Sequence, residues 1–79
     1  MQKFYFHIRG HHLRLEDPDG AEFPDLAAAH SEAIATIREI LAEKLRCGDV
    51  IDGQKLEICD DKGTVFETIP FRSVLAEPE

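Results

Sequence analysis

Large apolar and polar side chains alternate from residue 4 to residue 9: Phe4, Phe6 and Ile8 fall between Tyr5, His7 and Arg9. A period of two marks a strand with one buried face. Beyond Gly10-His11, Leu13 and Leu15 resume the alternation, and a glycine at the first central position suits a type II′ turn. The pattern predicts a hairpin with Arg9 opposite His12, Ile8 opposite Leu13, His7 opposite Arg14, Phe6 opposite Leu15 and Tyr5 opposite Glu16. In this register every apolar residue shares one face, and a slip of one residue would mix the two. "EDPDGAEFPD", residues 16–25, reads as a connector around a Pro18-Asp19-Gly20 turn.

The period then lengthens. Leu26, Ala33, Ile34, Ile37, Ile40, Leu41 and Leu45 recur at steps of three and four, the apolar stripe of an amphipathic helix. Asp25 is placed to cap its first turn and Gly48 to end it. After a second connector, "KLEICDDKGTVFETIPF" predicts another hairpin, with Asp61-Lys62-Gly63 as its loop. There Leu56 and Ile58 share a face with Phe66, while Cys59, Val65, Glu67 and Ile69 fall on the other. Pro70 cannot donate to a ladder, so it should lie on an edge or at a strand end.

The order β-β-α-β-β gives an α+β fold: a four-stranded antiparallel sheet, strand order 2-1-3-4, with one long helix on one face. Residues 1–71 form one expected domain and 72–79 a tail of uncertain order. A helix of about 21 residues is roughly 31 Å long, whereas strands of about seven residues reach roughly 23 Å. One helix end should therefore overhang the sheet. A single helix also leaves the opposite sheet face, with Tyr5, Val65 and Ile69, without a cover. Both features lead us to expect a partner, most simply a second copy in a homodimer.

The net charge of −7 is unevenly spread. Residues 1–14 carry Lys3, Arg9 and Arg14 without an acid, and all sixteen acids follow. An acidic body argues against nucleic acid or an anionic membrane as partner. No apolar run approaches a signal peptide or a bilayer span, and Cys47 and Cys59 lack framework spacing. The expectation is a cytoplasmic protein with free thiols.

Candidate chemistry is thin. "FHIRGHH" places His7, His11 and His12 within six residues. His7 and His12 with Glu16 could supply three ligands to one metal ion, but Arg9 and Arg14 face them in the expected register and would repel it. His30 falls inside the helical stripe near its start, as a rim residue with no serine or cysteine placed beside it. Cys47 sits at the helix end that raises a thiol pKa. "EDPDG" and "DDKG" lack the ligand spacing of a calcium loop. No catalytic residue, metal or cofactor is therefore expected. Tyr5, His7, Arg9 and Arg14 group aromatic and basic side chains on one side of an acidic chain and form the candidate interaction surface.

The blocks "YFHIRG", "DPDGAEFPDLAAAHSEA" and "AEKLRCGDVIDGQKLEICDDKGTVFETIPF" resemble a family of short bacterial proteins classed only as a domain of unknown function. The resemblance covers residues 4–71. His7, Gly20, Pro24, Asp25, Leu26, Glu32, Ala33, Gly53, Asp60, Gly63, Pro70 and Phe71 fall on its recurring positions, whereas His11 and His12 do not. It implies no activity. "FPDLAAAHSEA" is also similar to the passage from hairpin to helix in HicB-type antitoxins, which implies a partner-binding role. The reading that results is a small non-enzymatic interaction module, with a metal- or ligand-binding domain as the alternative.

Overall fold

A computed structural model describes residues 1–11, 14–48 and 53–75. The chain runs β1 (Gln2–Arg9), β2 (Arg14–Leu15), β3 (Ala21–Phe23), α1 (Leu26–Cys47), β4 (Lys55–Cys59), β5 (Val65–Pro70) and α2 (Phe71–Leu75). The sheet is antiparallel in the order β2-β1-β4-β5, with β3 also paired to β1. Apart from β3, this is the expected architecture, with α1 against one face.

The first hairpin departs from the expected register. Ile8 faces Leu15 and Arg9 faces Arg14, two residues away from the pairing derived above. A shift of two leaves every side chain on its own face, so the alternation cannot detect it. The connector holds a further surprise. Ala21–Phe23 is a strand, pairing Gln2 with Phe23, Lys3 with Glu22 and Phe4 with Ala21. Phe23 thereby brings its ring to Phe4 at 6.1 Å and to Phe6 at 5.9 Å.

The helix follows its caps. Asp25 accepts from the Ala28 amide at 2.9 Å, and Gly48, left-handed at φ 77°, closes the end onto Lys44 and Leu45. Ala29, Ala33, Ile37 and Leu41 are buried at steps of four. They pack with Phe4, Ile8, Leu56, Ile58, Ile69 and Phe71 as the core. Leu45 is the next position on that stripe and is 65% exposed. The carboxyl end of α1 is thus the one that overhangs.

The second hairpin turns where expected: Asp60 and Thr64 bond across Asp61-Lys62-Gly63. Its strands, however, contain a bulge. Cys59 pairs with Val65 but Ile58 pairs with Glu67, leaving Phe66 as an extra residue. One extra residue inverts the parity of everything after it. Ile69 therefore lies opposite Leu56 on the helix face, 4% exposed, and not on the uncovered face. Glu67 moves with it and meets His30 Nδ1 at 2.9 Å, so His30 is the half-buried rim residue expected. Pro70 ends β5, an edge strand. The expected tail begins as α2, with Phe71 1% exposed and Val74 packed against the core.

Candidate functional site

The sheet face opposite α1 carries Tyr5, His7 and Arg9 from β1. Their partners on β4 are Cys59, Glu57 and Lys55. Val65, Thr68 and Pro70 continue these rows on β5, and Arg14 extends the Arg9 row onto β2. The four residues of the candidate surface therefore do share one side, by the alternation of β1 and the pairing of β2.

Asp17 organises one end of this face. Its backbone amide donates to His7 Nδ1 at 3.2 Å. Its carboxylate accepts from the Phe6 amide at 3.3 Å, the Asp19 amide at 3.2 Å and the Gly20 amide at 3.0 Å. Where β2 leaves β1 and β3 has not yet joined it, this side chain takes the place of a strand partner for Phe6. Burial alone would push the Asp17 carboxyl up, but the amides of Gly20, Phe6 and Asp19, aided by His7, hold it below its ordinary value. Because His7 Nδ1 is an acceptor, a neutral His7 carries its proton on Nε2. Its ring stacks with Tyr5 at 6.4 Å.

A shallow groove of about 250 Å³ lies here, lined by Tyr5, His7, Asp17, Asp60, Asp61 and Gly63. Asp60 is spent on its own turn, accepting from Lys62 and Thr64. These bonds, that of Thr64 first, keep its carboxyl below the ordinary value. Asp61 is exposed. The other end of the face is basic. Arg14, Arg9 and Lys55 stand side by side on three adjacent strands. Arg9 Nε donates to Glu57 at 2.6 Å and Arg14 Nε to Glu16 at 3.3 Å. Cys59, 1% exposed, sits between Tyr5 and Val65, and burial pushes its thiol pKa up.

The trio His7, His12 and Glu16 is not assembled among the described residues. His12 lies outside them, His7 Nδ1 is bonded to Asp17, and Glu16 is bonded to Arg14. No group of three metal-ligating side chains occurs among the described residues. His11 does not project freely from its turn: its ring lies against Gly53, where a Cβ would come within 2.6 Å of Nε2. Among the described residues no helix is long and apolar enough to cross a membrane.

A family model described as a domain of unknown function (DUF6894) matches residues 3–72. The chain belongs to this family. No curated protein matches it, and no solved structure does. Within this DUF6894 domain, His7 is one of the recurring positions of the motif blocks, and the sequence alone shows no structural task for it. The structure supplies one, as the acceptor that holds the Asp17 turn. Asp17 itself was missed by the sequence reading. Its signal is "DPDG", in which an aspartate can bond amides two and three residues on; the long-range bond to Phe6 has no local signature.

Proposed function

We propose that this DUF6894 domain is a non-catalytic interaction module that self-associates through the sheet face opposite α1, with Tyr5, His7, Arg9 and Arg14 in the contact. The observation that carries the reading is the state of the sheet's boundaries. A sheet can recruit a partner by an edge or by a face. Here β5 carries a bulge at Phe66 and ends in Pro70, and the opposite edge is broken into strands of two and three residues. Bulges, proline and short strands are the devices that prevent edge pairing. The face has no such protection. It presents half-buried Tyr5 and, 46% exposed, Val65 on either side of buried Cys59 in one row.

The extents of 37 × 31 × 16 Å support the same reading. They describe a slab one helix and one sheet thick, and a second sheet laid about 10 Å away would bury the face that α1 does not reach. The one thiol on the face is held protonated by burial, which fits a packing role and not a nucleophile. The test is light scattering after size exclusion at about 10 μM and about 200 μM. A rising dimer fraction, lost when Tyr5→Glu is introduced, supports the proposal. A monomer at both concentrations refutes it.

A further inference from the structure

The face is electrically bipolar along its strands. Arg14, Arg9 and Lys55 form a row of three cations across β2, β1 and β4. Like charges directly opposite one another destabilise a sheet, and among the described residues Glu57 and Glu16 answer two of the three. At the other end, Asp17, Asp60 and Asp61 line the groove beside Tyr5 and His7. A surface with a cation row at one end and an anionic groove at the other is complementary to itself turned end for end.

Resting on the self-association proposed above, we infer that two copies stack with their strands antiparallel about a two-fold axis lying between the faces. The axis runs across the strands along the row His7, Glu57 and Thr68. Tyr5 and Arg9 each stand two residues from His7, about 7 Å on either side. Rotation about that axis keeps each strand over its own counterpart and exchanges the ends. Arg14 of each copy comes over the Asp17 turn of the other, Arg9 over Tyr5, and Lys55 over Cys59, beside the Asp60–Asp61 turn. The other in-plane axis, along the strands, would lay the cation row on itself and is disfavoured by repulsion. Each groove is then completed by basic side chains of the second copy.

The area available sets the strength. Four strands about 4.8 Å apart and six residues long at about 3.3 Å cover roughly 400 Å². Two such faces bury on the order of 800 Å², short of the roughly 1,200 Å² of a stable complex. The dimer is therefore weak, and its charge pairing makes it sensitive to salt.

Lys55 and Asp61 are exposed, and neither side chain takes part in a hydrogen bond or ion pair among the described residues, so reversing them leaves the monomer's side-chain bonds intact. Dissociation constants from sedimentation should rise at least about fivefold for Lys55→Glu and for Asp61→Lys, and return toward the parent value when the two are combined. Independently, Thr68→Cys in a Cys47→Ser background should cross-link to its own copy under mild oxidation, because Thr68 lies on the axis. A dimer that persists while Thr68→Cys fails to cross-link, or while the double reversal is no better than the singles, overturns this orientation and leaves self-association standing. A parent protein that stays monomeric overturns both.

Discussion

Asp17→Ala removes the carboxylate that ties the Phe6 amide of β1 to the turn before β3, and leaves the bond from the residue 17 amide to His7 in place. Three amide–carboxylate bonds disappear, but they are unequal. The Asp19 amide is exposed, so water replaces its bond at a cost of about 0.5 kcal/mol, whereas the Gly20 amide is part-buried like that of Phe6. The Phe6 amide faces inward between strands and is left without its acceptor. A part-buried donor stranded in this way costs about 1–3 kcal/mol. Partial solvent access keeps the total near the middle of that range, about 2 kcal/mol. A domain of this size is stable by only about 4–12 kcal/mol, and each kcal/mol moves the midpoint by about 4–8 °C. Thermal unfolding followed by circular dichroism should thus show a loss of about 8–16 °C, with faster hydrogen exchange at Phe6. A decrease below about 3 °C with unchanged exchange at Phe6 would refute the bridging role.

The same carboxylate has a pH signature. Its folded pKa lies below the ordinary aspartate value, so the unfolded chain binds the proton first as pH falls. The stabilisation is complete above about 3.8 and is lost as pH drops through the folded value; Asp17→Asn should flatten that part of the stability curve, while Asp60, shifted the same way, keeps the remainder. Gly20→Ala combines φ 70° with a Cβ 3.0 Å from the Phe4 carbonyl oxygen and 2.9 Å from Tyr5 Cε2. A loss of about 2 kcal/mol or more is expected in urea unfolding. Ile37→Ala, at a fully buried position, should cost about 2–5 kcal/mol, whereas Leu45→Gln on the overhanging turn should stay within about 0.5 kcal/mol. In thiol titration at mildly alkaline pH, exposed Cys47 should react in the native protein and Cys59 only after denaturation; equal rates would contradict the burial of Cys59.

Much of the fold can be read from local pattern. The alternation around Phe4, Phe6 and Ile8 identifies β1 and its buried face. The steps of three and four from Leu26, with Asp25 and Gly48 as caps, identify α1, and Asp61-Lys62-Gly63 identifies the second turn. Each of these signals lies within a few residues of the structure it specifies. The candidate surface was legible for the same reason, since Tyr5, His7 and Arg9 alternate out of one strand.

Other features needed the folded chain. A period of two fixes which face a side chain takes but not which partner it meets, so the register of Ile8 with Leu15 was decided by a loop longer than the glycine suggested. Ala21–Phe23 is too short to show periodicity and becomes a strand only because β1 offers an unpaired edge. The extra residue at Phe66, which carries Ile69 into the core and Glu67 to His30, is settled by packing against Phe4 and α1. Asp17 serves Phe6 across eleven positions of sequence. Sequence determined the parity of β1, the caps of α1 and the second turn, because these depend on neighbours along the chain. Tertiary structure decided register, the added strand and the bulge, because alternatives equal in local pattern differ only in what they bury.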